Sequence, residues 1–172
     1  MANFAYLALN LGTIFIPFLA SFYKPQAFYK NWKYFFSANI IVAIPIILWD
    51  VQFTKMGVWG FNSDYFLGIH ILNLPLEEVM FFVCIPYACT FTFFALKYLV
   101  PETHFSRYQL ALKYLFLAIS ISFILFGYQQ VYTLTIGIVS ALMILYCIWK
   151  DIDFTHIFLT YFLVTPFFLI VN

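Results

Sequence analysis

Two glutamates stand side by side in the run Leu74-Pro75-Leu76-Glu77-Glu78-Val79, where a mixed segment gives way to a long apolar one. Paired carboxyls can release a proton and take one back, which is what general acid–base chemistry requires. Pro75 suits the first turn of a helix, where its missing N–H is no loss, and Asn73 is a candidate cap ahead of it, so a helix is expected to begin near Leu74. Both acids would then lie in the first turn, where the helix dipole favours anions by a few tenths to about 1 kcal/mol. That purely structural role is the alternative to chemistry. Against it, a carboxylate near hydrocarbon costs on the order of 2.5–3.5 kcal/mol at mid-helix, and adjacent carboxylates resist joint ionisation. The penalties outweigh the dipole, so one glutamate is expected to keep its proton near neutral pH. Successive helical residues project about 100° apart, so the two side chains should face different neighbours and divide roles. Asp50, following Trp49 at the expected end of another apolar helix, is placed to join them as a third carboxyl. Asp64 reads as solvated.

The elements that must position these acids are membrane spans. Of the 172 residues 65% are hydrophobic and 9% charged, and mean hydropathy is +0.96, far from the roughly 25% charged of soluble domains. A hydrocarbon core about 30 Å thick needs about 20 apolar helical residues. Six stretches meet that need, 3–22, 33–50, 79–99, 109–126, 131–149 and 154–171, which predicts an all-α polytopic membrane protein. The first has no basic region ahead of it and no small-residue cleavage site after it, so it is expected to stay in the mature protein. A net charge of +1 gives no pull on nucleic acid.

Residues 51–73 form the one long connection. Phe53, Trp59, Phe61 and Tyr65 are interleaved there with Gly57, Gly60 and Gly68, so the segment is expected to fold back into the membrane surface. Irregular backbone is tolerated at that depth only where protein or a wet cavity satisfies its amides. A pocket roofed by this loop follows, with an interfacial aromatic belt as the simpler alternative.

Other chemistries find little support. Cys84, Cys89 and Cys147 lie in apolar segments without C-x-x-C spacing, and His70, His104 and His156 lie apart, so no metal or disulfide is expected. No glycine-rich nucleotide motif is present, and no cofactor is read. What remains is proton transfer among carboxyls in an aromatic setting, where ring faces stabilise cations. That combination suits protonation of an alkene and rearrangement of a carbocation, with an apolar substrate.

A weak internal repeat accompanies this pattern. Pro45 precedes Asp50 much as Pro166 precedes Asn172. In the first half such a helix leads on to the loop and the paired acids. The second half would open a second repeat without its acidic helix, so the chain is expected to be a fragment or one partner of an assembly. Chance likeness between two proline-bearing helices is the competing explanation.

The run from Trp49 to Asn62, with Leu74-Pro75-Leu76-Glu77-Glu78 and Phe81-Phe82, resembles the membrane-integral lycopene cyclases of the heterodimeric bacterial type and the cyclase part of fungal fused enzymes. The resemblance covers residues 1–99 as one repeat of three transmembrane helices, with 100–172 looking like the start of a second. It implies non-redox closure of the ψ ends of lycopene to β rings, without a cofactor. Glu77, Glu78 and Asp50 would be the catalytic carboxyls. Phe53, Trp59, Phe61, Asn62 and Phe82 would line the substrate, and Pro75, Gly57 and Gly60 would shape the motif. The partners implied are a carotenoid, the lipid bilayer, and a second cyclase repeat or another oligomeric subunit. A cyclase of longer carotenoids making ε or γ rings, a noncatalytic carotenoid-binding subunit and a small transporter are the rivals.

Lys24, Lys30, Lys33, Lys97, Arg107, Lys113 and Lys150 fall on one side of the six spans, leaving only Lys55 opposite. The positive-inside rule makes that side cytoplasmic in a cell membrane and puts both termini, Asp50, Glu77 and Glu78 on the other. A reporter fused to the C-terminus should therefore be active only when it works outside the cytoplasm; activity confined to the cytoplasm would invert the topology.

Overall fold

The computed structural model describes residues 4–101 and 107–171, the side chains of residues 168, 170 and 171 excepted; His104 and Asn172 lie outside the described residues. The described residues form six α-helices: α1 (Ala5–Ala20), α2 (Trp32–Lys55), α3 (Leu76–Leu99), α4 (Gln109–Phe126), α5 (Val131–Trp149) and α6 (Thr155–Val171). The fold is all-α and polytopic. The four from α2 to α5 are long and apolar enough to cross a membrane, whereas α1 and α6 are shorter apolar helices. At 1.5 Å per residue α1 reaches only about 24 Å. The chain divides into two compact units, Met1–Leu99 and Val100–Asn172.

In the first unit α1 and α2 both pack on α3. Phe28, in a short 3₁₀ turn ahead of α2, meets Tyr87 and Phe91 of α3, with Trp32, Phe35 and Phe94 around them. Tyr87 and Phe28 are each 1% exposed. Burying a tyrosine hydroxyl requires partners. Ser21 Oγ lies 2.6 Å from it and Trp32 Nε1 donates to it at 2.9 Å. Higher in α3, Pro86 has no N–H to offer the carbonyl four residues before it. That carbonyl belongs to Phe82, and Asn39 Nδ2 of α2 donates to it at 3.1 Å.

The helix boundaries around the acids differ from the sequence expectation. Helix α2 does not close at Asp50 but runs on to Lys55, so Asp50 lies inside it and the polar-terminus match with the second half loses one of its two members. The reason is in the termination chemistry. Gly57, at φ +71°, donates to Thr54 O at 3.1 Å, and Val58 donates to Phe53 O at 3.1 Å. This pairing is a Schellman stop, which needs a left-handed residue just past the helix. No glycine comes earlier, so the helix continues through the charge.

Helix α3 likewise starts at Leu76, not Leu74. Leu74–Pro75 (β2) pairs antiparallel with His70–Ile71 (β1), and Leu76 N–H donates to Ile69 O at 2.9 Å. Asn73 caps nothing; its Nδ2 donates to Val51 O at 2.9 Å and ties the hairpin to α2. The long connection is thus residues 56–75, shorter than expected and partly paired.

In the second unit α4 and α5 form a tight helical hairpin. A Cβ on Gly137 would come within 2.9 Å of Ile124 and 3.0 Å of Ser120 O, so only glycine lets these helices approach so closely. Lys113, 2% exposed, reaches Asp151 at 4.0 Å and lies over the Phe154 ring at 5.6 Å.

Gly57 and Gly60 separate a backbone need from mere occurrence. Gly60 has open space where a Cβ would go and no left-handed φ. Gly57→Ala should cost about 1–2 kcal/mol for its left-handed backbone, while Gly60→Ala should stay within about 0.5 kcal/mol, both read by unfolding in detergent micelles.

Candidate active site

The end of α2, the loop 56–75 and the first turn of α3 converge on three carboxyls. Asp50 is 6% exposed. The Trp59 indole Nε1 donates to Asp50 Oδ1 at 2.7 Å. Trp59 can do so because its ring lies flat on Phe53, with centroids 5.1 Å apart and planes within 14°. Trp49 abuts the same Phe53 edge-on at 5.3 Å. Phe53 is one turn before the Schellman stop, so the turn at Gly57 is what folds Trp59 back over it. Asp50 Oδ2 has no hydrogen-bond partner, although the Thr54 hydroxyl acts on the same carboxyl at longer range.

The two glutamates face different neighbours. Glu77 is 1% exposed, and its Oε1 accepts the Leu67 N–H at 2.8 Å. Its Oε2 has no partner. Glu78 is half-buried and lies within electrostatic reach of Asp50. One acid therefore serves the loop and the other faces α2. Phe82 stands one helical turn beyond Glu78 on the same face; it is half-buried and meets Phe81 edge-on at 5.9 Å.

The remaining sequence candidates are residues of the loop and of the short strand before α3. Asn62 is exposed, and its Oδ1 accepts the Asp64 N–H at 3.0 Å, which makes it a turn residue. Asp64 is exposed as well, and Phe61 is half-buried. Pro75 is fully buried beside Leu74, at 0% exposure, in the short strand leading into α3.

Three asparagines carry weight that the sequence reading missed. Asn10, the buried residue of α1, donates through Nδ2 to Tyr6 O at 3.1 Å and to Glu77 O at 2.9 Å. Asn73 and Asn39 tie the hairpin and α3 to α2. The signal was available, since an amide in the middle of an apolar run must find a partner. The tie is continued by the backbone, where Tyr6 N–H donates to Tyr65 O at 3.1 Å, with the two rings stacked at 6.0 Å.

Asp50 Oδ2, Glu77 Oε2, Asn10 Oδ1 and Asn73 Oδ1 are all buried acceptors without a donor. A buried acceptor left unpaired costs about 1–3 kcal/mol, so the cluster favours protons or hydroxylic guests. Among the described residues no three metal-ligating side chains come together. Trp59→Phe keeps the ring stack but removes the N–H from Asp50. It should lower stability by about 1–3 kcal/mol, measured by thermal unfolding in detergent.

A family model described as lycopene cyclase matches residues 3–96, more than half of the chain. No curated protein and no solved structure matches it.

Proposed function

The chain belongs to the lycopene cyclase family, and on that premise we propose that it closes the ψ ends of lycopene to β rings by adding one proton and removing another. The observation that carries this reading is the set of buried carboxyls, Asp50 and Glu77 with Glu78 beside them, held against stacked aromatic rings in an apolar fold. A protonated carboxyl adds H⁺ at C2 of the terminal double bond and leaves a cation at C1. The neighbouring double bond attacks C1, forming the C1–C6 bond and moving the charge to C5. A carboxylate then takes the proton from C6, and the ring double bond forms between C5 and C6. One proton enters and one leaves, so no oxidant or reductant is needed.

The aromatic faces of Phe53, Trp59, Phe61 and Phe82 shelter the cation in this scheme, as ring quadrupoles do for positive charge. The loop 56–75 roofs the substrate and keeps water from quenching it. The reaction runs in the cell membrane, and the carboxyl end of the helices faces away from the cytoplasm. Asn62, with its side chain committed to a turn, shapes the loop instead of touching the carotenoid.

A two-repeat organisation accompanies this reading. Residues 100–172 contain no second Pro-x-Glu-Glu run. In that reading residues 1–99 are a first cyclase repeat and 100–172 open a second. A carotenoid-binding subunit without turnover and a cyclase of longer carotenoids are the neighbouring alternatives.

Expression in a lycopene-accumulating host should yield ring-bearing pigment by chromatography, from this chain alone or with a coexpressed second repeat. Lycopene left unchanged under both conditions would refute the cyclase reading, and a ring made only from longer carotenoids would change the substrate.

A further inference from the structure

The two adjacent glutamates are not equivalent in access. Glu77 has 1% of its surface exposed, and one carboxyl oxygen is already taken by the Leu67 amide at 2.8 Å. A hydrocarbon chain cannot touch a side chain so enclosed. Its backbone carbonyl is also engaged, by Asn10 Nδ2 at 2.9 Å. Asn10 holds Tyr6 O as well, and Tyr6 N–H holds Tyr65 O. From Tyr65 two residues of loop lead to Leu67. The contacts close a ring of hydrogen bonds through Tyr6, Asn10, Glu77, Leu67 and Tyr65, joining α1, α3 and the loop. Glu78 stands outside this ring, half-buried, toward Asp50 on α2.

We propose that Glu77 is a positioning residue, which with Asn10 latches the loop onto the start of α3, and that Glu78, with Asp50 beside it, is the proton donor to the substrate. This division rests on the cyclase reading of the site and goes further by assigning roles within it. In the donor step the Glu78 O–H bond breaks, its hydrogen forms the new C–H bond at C2, and the electron pair stays on the Glu78 carboxylate. The proton lost later from C6 returns to the Glu78 carboxylate, so the donor is restored. Glu77 takes no part in that exchange. Its work is to hold the roof of the site in register with Glu78, one residue on in the same helical turn.

The latch needs an acceptor at Oε1, not a charge or an acidic proton, and glutamine supplies the same acceptor. Glu77→Gln also puts an N–H group where Oε2 now stands without a partner. The donor role tolerates no such exchange, because an amide has no proton to give. At matched protein levels in membranes of a lycopene-accumulating host, Glu78→Gln should lower ring formation by about 100-fold or more. Glu77→Gln should lower it by less than about tenfold, and Glu77→Ala, which loses the bond to Leu67, and Asn10→Ala, which loses those to Tyr6 O and Glu77 O, by about 10- to 100-fold. Rescue by glutamine at one position and not at its neighbour is the outcome a merely structural pair would not give.

A second measurement needs no turnover. Amide hydrogen exchange of the full chain in detergent should show the Leu67 N–H protected in the parent and in Glu77→Gln, and about 10- to 100-fold faster in Glu77→Ala. Loss of ring formation in Glu77→Gln as deep as in Glu78→Gln would overturn the assignment. So would Leu67 exchange unaffected by Glu77→Ala. If the parent chain forms no ring with or without a second repeat, the cyclase reading itself fails, and the exchange result still decides the latch.

Discussion

Inside hydrocarbon a polar group keeps its full desolvation cost until another group pairs with it, and among the described residues of the first unit the side-chain hydrogen bonds that join one helix to another end on α3. Asn10 reaches it from α1 at Glu77 O, Asn39 from α2 at Phe82 O, and Ser21 and Trp32 from α1's end and α2's start at the Tyr87 hydroxyl. The loop joins through Leu67 N–H on the Glu77 carboxyl. Apolar packing alone supplies little specificity among lipid-facing helices, because lipid tails are as apolar as the side chains. The polar ties fix the register of α1 and α2 on α3, and the register fixes where the acids stand.

The two ends of this unit use that constraint differently. Around Tyr87 the hydroxyl has both Ser21 and Trp32, and stacked and edge-on rings fill the space. Around Glu77 and Asp50 four buried acceptor oxygens and the Thr54 hydroxyl remain without a partner. A native fold tolerates such unpaired groups where function uses them.

Much of this was legible in the sequence: six apolar helices, an aromatic loop, and acids at the head of α3. What could not be read was where helices stop. The apolar run and the charge suggested an end at Asp50, but the backbone stops where a residue can take a positive φ, and that is Gly57. Leu74–Pro75 was read as helix because proline suits a first turn, yet the pairing with His70–Ile71 claimed those residues. The asparagines were harder still. Their partners are backbone carbonyls tens of residues away, and one of those carbonyls is free only because Pro86 lies four residues beyond it. The division between Glu77 and Glu78 was foreseen as geometry, while which one meets the loop depended on the Leu67 amide, which no side-chain pattern reveals.

The second unit contrasts with the first in how its helices are held and where its described acids stand. Its helices are held by shape, with Gly137 letting α5 press on Ser120 and Ile124 of α4. Its described acids are Asp151 and Asp153. The Asp151 side chain is 97% exposed beside the Lys113 ammonium, and Asp153 is exposed, with Oδ1 accepting the Thr155 N–H at the start of α6. Carboxylates in water with a cation or an amide to stabilise the charge are poor donors to an alkene. An acid able to protonate a hydrocarbon must be shielded from water yet within reach of the substrate. Among the described carboxyls Glu78 alone is half-buried: Asp50 and Glu77 are buried, and Asp64, Asp151 and Asp153 are exposed.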